Sequence, residues 1–310
     1  MSIPTQYNFQ RFLAAKKSVD DRALNSHVLN RLTEKITDGH DERPLQVLEV
    51  GAGTGTMLAR LASWCVLKNI CYDAIDLDPE NIREAERLIP AWSNALGFDL
   101  TNDLAGFKLI RKSAVQDISV HFKTGDMYEF IACNQGSRFY DLIIAHAFMD
   151  LVDADRALPE LMSLMKQNGL LYLTSNFDGV TTLEPPVDPA EDEQVLALYH
   201  ESMDARLIDG LPSGDSRTGR HLFSLLRKHG VELLDAGSSD WVVYPVEGCY
   251  PCDEGYFLHY IINLIETTLK NHPALSPMPF DRWIAERHNQ VERGELVFIV
   301  HQMDFLGRMY

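Results

Sequence analysis

Leu45-Gln46-Val47-Leu48-Glu49-Val50 runs straight into Gly51-Ala52-Gly53-Thr54-Gly55-Thr56. A short apolar run ending in alternating glycines reads as a buried strand turning tightly into a helix. Without a Cβ, glycine lets the backbone come close to a ligand. The helix that follows, from Thr56 on, offers free N–H groups and the positive end of its dipole. Dinucleotide-binding turns share this geometry through G-x-G-x-x-G, but here the sixth position is Thr56. A phosphate-binding P-loop is excluded because no Gly-Lys-Ser/Thr follows. The residue that sets the turn apart is Glu49, an acid in an otherwise apolar strand two positions before the first glycine. A buried carboxylate without a partner costs several kcal/mol. A cationic ligand such as an amino-acid ammonium would supply that partner.

The same pattern repeats downstream. Ile70–Leu77 reads as a second strand, with Asp76 at its end and 21 residues past Gly55, the reach of a carboxylate that accepts from ribose hydroxyls. Asp78-Pro79 then opens a helix, with Asp78 suited to the cap. Val120-His121-Phe122 leads to Thr124-Gly125-Asp126-Met127, where Asp126 can accept from an exocyclic amine and Met127 can lie against a base. Strands are also expected over 139–147 and 169–175, with helices over 56–67, 79–96 and 155–167. Strand and helix thus alternate five times. That order requires right-handed crossovers and a parallel sheet with helices on both faces. One helical stretch is expected over 8–36, a loop over 37–43, and an extra strand over 107–110. Beyond Asn176 a loop (183–193), a helix (191–207), a turn at 212–216, a helix to Lys228, strands at 231–236 and 240–244, helices at 256–270 and 280–291, and a last strand at 295–303 are expected.

Taken in order, Val47–Gly55, Ile75-Asp76-Leu77-Asp78-Pro79, Gly125-Asp126-Met127 and Tyr140–His146 resemble the successive motifs of class I S-adenosylmethionine-dependent methyltransferases. The resemblance covers residues 45–175. It implies a Rossmann-like, seven-stranded, mostly parallel sheet whose last strand inserts antiparallel, for which Leu296–Val300 is suited. It also implies that Glu49, Gly51, Ala52, Gly53 and Gly55 surround the methionine part of S-adenosylmethionine, and that Asp76 with Leu77 takes the ribose. Asp126 and Met127 would hold adenine, and Ala145 and His146 would line the pocket. S-adenosylhomocysteine would be the product. Residues 45–176 form the expected cofactor core. Residues 1–44 and insertions at about 177–215 and 245–292 form an expected helical lid.

Departures from the family pattern narrow the acceptor. After the fourth strand the chain reads Ala145-His146-Ala147-Phe148, without the Asn/Asp-Pro-Pro-Tyr/Phe run that holds a planar amine and without a Pro-Cys pair. A small-molecule acceptor is the expectation. His146 is the candidate base, against a plain pocket-shaping role. Arg22, Phe148, Arg217, His221 and Tyr250 are candidate acceptor contacts. Asp20 and Asp21 on the first helix could close over the site, and Trp241, Tyr244 and Tyr256 could line it. An NAD-dependent oxidoreductase and a non-catalytic S-adenosylmethionine-binding protein are the alternatives.

Composition sets outer limits. The 310 residues carry a formal charge of -17, a field that repels nucleic acid. Five cysteines, including the lone pair Cys249 and Cys252, fit neither a disulfide framework nor a zinc motif, so no metal is expected. No run approaches the roughly 20 apolar residues of a membrane span, and Met1–Arg11 lacks an apolar signal core. A cytoplasmic location follows as an expectation.

Overall fold

Two helices, α1 (Phe9–Ala23) and α2 (Ser26–Asp38), precede the first strand in the computed structural model. The model describes residues 3–38, 43–66, 68–102, 106–137, 139–208, 210–276 and 278–310. The single helix expected over 8–36 is broken at Leu24-Asn25. Leu24 turns to ψ 127°, and the Asn25 side chain accepts from the N–H groups of His27 and Val28, satisfying donors that the first turn of α2 leaves free. Of the loop expected over 37–43, residues 39–42 lie outside the described residues.

The chain then alternates β1 (Leu45–Val50), α3 (Thr56–Ser63), β2 (Asn69–Asp76) and α4 (Pro79–Ala95). Next come β3 (Asp99–Asn102), β4 (Phe107–Arg111), β5 (Gln116–Thr124), α5 (Met127–Cys133), β6 (Tyr140–His146), α6 (Ala154–Ser163) and β7 (Met165–Glu184). The second half adds α7 (Pro189–Asp204), a two-residue hairpin β8 (Leu207–Ile208) and β9 (Leu211–Pro212), α8 (Thr218–Lys228), β10 (Val231–Ser238) and β11 (Trp241–Val243). The chain ends with α9 (Glu254–Leu269), α10 (Phe280–Glu292) and β12 (Val297–Met309).

One sheet has the order β10-β12-β7-β6-β1-β2-β5-β4-β3, with β11 paired to β12. β1 pairs in parallel with β2 and β6, β2 with β5, and β6 with β7. β12 lies antiparallel between β7 and β10, the insertion expected of the last strand. The chain winds outward from β1 through β2 and β5, then returns and winds the other way through β6 and β7. That reversal puts a topological switch between β1 and β6, and open α/β sheets bind ligands at the carboxyl ends of strands there.

The sheet has ten strands rather than the seven expected. The extra ones are the antiparallel β3–β4 hairpin on the edge of β5, and β11. Asp99-Leu100-Thr101-Asn102 is mostly exposed and polar, so it carries no apolar alternation that would mark it as a strand. β7 is also far longer than the expected 169–175. It continues to Glu184 because β12 pairs with it over most of its length, from Val297 opposite Glu184 to Arg308 opposite Leu170.

Alternation along the strands separates two faces. Val47, Tyr72, Leu142 and Tyr172 pack with Leu32 of α2, Leu58 of α3 and Ile89 of α4. Leu48, Val50, Ile143 and Leu171 pack with Ile131 of α5, Leu158 of α6 and Leu222 of α8. A third cluster lies over the far half of β7: Phe177 and Leu183 join Val19 of α1, Val195 of α7, Trp241 of β11, Phe257 of α9, Trp283 of α10 and Phe298 of β12. Helices α1, α7, α9 and α10 therefore share an apolar core of their own beside the carboxyl ends of the parallel strands.

Within that third core His259 and His288 sit buried with their Nδ1 atoms 2.9 Å apart. Burial pushes each imidazole down to about 4. In the unfolded chain both take protons near 6.5, so the unfolded state binds more protons between about pH 4 and 6.5 and stability rises with pH across that window. The double variant His259→Asn/His288→Asn should flatten this part of the urea-midpoint-against-pH curve. An unchanged slope would assign the acid sensitivity elsewhere.

Candidate functional site

Every glycine of the turn is held in the left-handed region: Gly51 at φ +66°, Gly53 at +53° and Gly55 at +73°. Gly55 stands at the N-cap of α3 and supplies no side chain there, so the first N–H groups of that helix have no side-chain cap. A Cβ on Gly51 would stand 2.5 Å from Cδ2 of Phe148, and one on Gly53 would stand 3.3 Å from the Leu13 side chain of α1. The turn is thus closely covered, by Phe148 two residues past β6 on one side and by the N-terminal helix on the other.

Asp76 ends β2 and ties the turn together. Its Oδ2 accepts from Gly53 N–H at 2.7 Å, and its Oδ1 accepts from Asp78 N–H at 2.9 Å and from Asn81 Nδ2 at 3.1 Å. Asp78 caps α4 through Glu80 N–H, as expected from Asp-Pro. Leu77 is 70% exposed beside it. Asp126 caps α5, accepting from Tyr128 and Glu129 through one oxygen, Oδ1. Met127 is buried as the first residue of that helix. Ala145 is wholly buried in the cluster beneath α5 and α6, so only its backbone is at the strand end.

Glu49 is 1% exposed, and its one hydrogen-bond partner in the described structure is the Tyr72 hydroxyl, which donates to Oε2 at 2.7 Å. Burial pushes its carboxyl up to about 8. Tyr72 and the charge of Arg60 oppose the rise, and Asp76 adds to it. Glu49 therefore lies in a dry position beside the turn with a hydroxyl for company and no hydrogen-bonded cation. Tyr72, the hydroxyl that meets Glu49, was missed in the sequence reading. Its signal was the period-two row Ile70, Tyr72, Ala74 on the strand beside Glu49.

A second polar cluster joins α1 to the strand ends. Asp20 is buried, and its carboxylate receives Lys16 at 2.7 Å, Trp241 Nε1 at 2.9 Å and Arg60 at 3.1 Å, with His146 Nε2 also at 3.1 Å. Burial alone would raise the Asp20 carboxyl, but Lys16, His146 and Arg60 together hold it well below the usual range. Arg60 is 1% exposed and also donates to Asp21 at 2.5 Å. Arg60 was missed in the sequence, although an arginine inside the apolar row Met57, Leu58, Leu61, Ala62 was the signal. The second His146 nitrogen, Nδ1, lies 2.6 Å from Thr174 Oγ1. Burial first, then Lys16 and Arg60, push His146 down to about 4 against the pull of Asp20. His146 is neutral at pH 7 with both nitrogens engaged.

The remaining candidates are dispersed. Arg22 pairs with buried Glu254 at 2.6 Å. His221 pairs with Asp215 at 2.6 Å and is half exposed. The Arg217 side chain passes 3.3 Å from the Cβ position of Gly179. The Tyr250 hydroxyl donates to Leu296 O at 2.8 Å. Tyr256 donates to Asn8 O, whereas Tyr244 is exposed. Among these, Phe148 is the one that the structure brings onto the glycine turn. All five cysteines are free thiols. Among the described residues no helix is long and apolar enough to cross a membrane.

No family model matches the sequence, and no curated protein matches it. Solved structures of similar shape include a putative methyltransferase from Bacillus halodurans, with 14% identity, 89% of this chain and 97% of that one covered, and a TM-score of 0.47. A methyltransferase from Thiobacillus denitrificans in complex with S-adenosyl-L-homocysteine matches over 100% of both chains at 14% identity and a TM-score of 0.47. Phosphoethanolamine N-methyltransferase 2 from Haemonchus contortus matches over 98% of this chain and 58% of its own, at 13% identity and a TM-score of 0.44. At such identities and TM-scores these likenesses assign no activity.

Proposed function

We propose that this chain is an S-adenosylmethionine-dependent methyltransferase of class I that acts on a small molecule. The observation that carries this reading is Glu49, a buried carboxylate with a hydroxyl partner, set beside a left-handed glycine turn at a topological switch point. An ammonium placed there supplies the missing countercharge. Asp76 stands at the neighbouring strand end, where ribose hydroxyls could be received, and Asp126 keeps Oδ2 clear of its capping bonds for an exocyclic amine. S-adenosylmethionine supplies a methyl group on a sulfonium that is open to in-line attack. The protein's part is to fix the acceptor and keep water out, which suits a switch point covered by α1, Phe148 and the third apolar core.

His146 holds α1 against the end of β6 in this arrangement. The Asp20 carboxylate can only accept, so Nε2 carries the proton in that contact, and as a base His146 would have to give up Thr174 at Nδ1. The small-molecule reading is supported by Ala145-His146-Ala147-Phe148 after β6 and by the charge of -17, which disfavours nucleic acid.

Asp76→Ala should weaken S-adenosylhomocysteine binding by one to two orders of magnitude, the scale of about 1.5–3 kcal/mol for hydrogen bonds to a charged group. The same variant frees Gly53 N–H and Asp78 N–H, so the turn itself loosens. Thermal-shift titrations with S-adenosylhomocysteine and with NADH distinguish the two cofactor classes. A shift with NADH alone would replace this reading by an oxidoreductase.

A further inference from the structure

On the sheet face away from Glu49, three side chains of different chemistry converge. Cys71 and Asp73 lie two residues apart on β2 and so share a face, and His121 on β5 is in register with Asp73. The ligand atoms Sγ, Oδ and Nδ1 all lie within 4.8 Å of one another. His121 Nδ1 is 2.8 Å from Asp73 Oδ1 and 3.7 Å from Cys71 Sγ. Both neighbours address the same nitrogen. A nucleophile–base relay would place thiol and carboxylate on opposite ring nitrogens, so this is not a cysteine triad. Convergence on one point is how a metal-ligand set is built.

We propose that Cys71, Asp73 and His121 form a zinc(II) site. Zinc bonds of roughly 2.3 Å to sulfur and 2.0–2.2 Å to nitrogen and oxygen place tetrahedral ligand atoms about 3.3–3.6 Å apart. The sulfur–nitrogen distance is already close to that, and the nitrogen–oxygen pair has to open by about half an ångström. The other carboxylate oxygen, Asp73 Oδ2, accepts from the Tyr140 hydroxyl at 2.7 Å, an outer contact that orients Oδ1 toward the cluster. Asp73 and His121 also line a cavity of about 470 Å³ with Phe122, Phe130 and Tyr140 in its wall. Three protein ligands leave the fourth position to water or to a small donor entering from that cavity. Lys108, whose charge acts on Cys71, is drawn aside by Asp117 and Ser119, and Lys123 lines the same cavity. On binding, the Cys71 S–H bond breaks, the zinc–sulfur bond forms, and the proton passes to buffer. Thiolate and carboxylate then balance the charge of the ion.

Cobalt(II) titration of the reduced full-length chain tests the site, with zinc(II) as competitor. One equivalent of cobalt should give tetrahedral visible bands and a thiolate charge-transfer band in the near ultraviolet, all displaced by zinc. Cys71→Ser should remove the charge-transfer band, and His121→Asn should weaken binding at least as much as Tyr140→Phe, which should cost roughly 10–100-fold. Cys249→Ser/Cys252→Ser should leave every signal in place, and circular dichroism reports whether each variant is folded. Wild-type protein that shows only weak octahedral cobalt bands would overturn the site. So would a charge-transfer band that survives Cys71→Ser or vanishes with Cys249→Ser/Cys252→Ser.

Discussion

Glu49→Gln should lose one to two orders of magnitude in affinity for S-adenosylhomocysteine and yet make the unliganded protein more stable at pH 8. The first effect follows from deleting the charge that an ammonium would meet in a dry position, about 1.5–3 kcal/mol for a charged hydrogen bond. The second follows from linkage. The Glu49 carboxyl titrates near 8 in the fold, against an ordinary value of 4.5. A raised carboxyl contributes stability below pH 4.5 and loses it as pH climbs toward 8, because the folded state holds a proton that the unfolded chain has released. Glutamine keeps the shape and carries no charge to desolvate. The variant should therefore match the wild type near pH 4.5 and exceed it by a growing margin up to pH 8 in urea denaturation. A residue whose replacement stabilises the fold while removing binding is retained for binding. If Glu49→Gln destabilised the protein at pH 8 and bound normally, Glu49 would be a structural residue.

Asp20→Ala should have the largest effect on stability, about 3–5 kcal/mol, the scale for leaving buried charges without their partner. Lys16 and Arg60 are both buried and both face this carboxylate, and Trp241 Nε1 donates to it. Of its two carboxylate partners Arg60 would keep only Asp21, which is partly exposed. Undocking α1 is the shortest route by which these cations regain water. Limited proteolysis should therefore cut within residues 9–23 in Asp20→Ala well before the sheet unfolds. Uniform cleavage across the chain, or a loss below 1 kcal/mol, would mean that α1 is held by its apolar face alone, through Phe12, Ala15 and Val19.

Legibility in the sequence followed burial. Runs such as Leu142-Ile143-Ile144-Ala145 are buried on both faces and read directly as central strands, and Asp78-Pro79 marked the start of α4 to the residue. What could not be read depended on long-range pairing. β7 reaches Glu184 because β12 pairs with it from more than a hundred residues away, and β3 is a polar edge strand held by β4. At the candidate site, Glu49 and the glycines stand out because local rules are broken there: an acid in a core strand and a left-handed turn. Arg60 and Tyr72 were not singled out, since each satisfies a partner distant in sequence, Asp20 and Glu49. The placement of Arg22 and Tyr250 has the same origin. Each has a partner of its own, Glu254 and the Leu296 carbonyl, that only the folded chain brings near.

Proton-linked calorimetry of the wild-type protein with S-adenosylhomocysteine tests most directly whether Glu49 meets an ammonium beside the glycine turn. In buffers of different ionisation enthalpy at pH 7, one equivalent should bind with release of close to one proton. Affinity should rise up to tenfold per pH unit between pH 6 and 7, while the ligand amine, with an ordinary value of roughly 8, stays charged. 5′-Methylthioadenosine, which lacks the amino-acid part, should bind more weakly and show neither effect. Absence of heat and of any thermal shift at saturating S-adenosylhomocysteine, or binding with no proton released, would contradict the assignment.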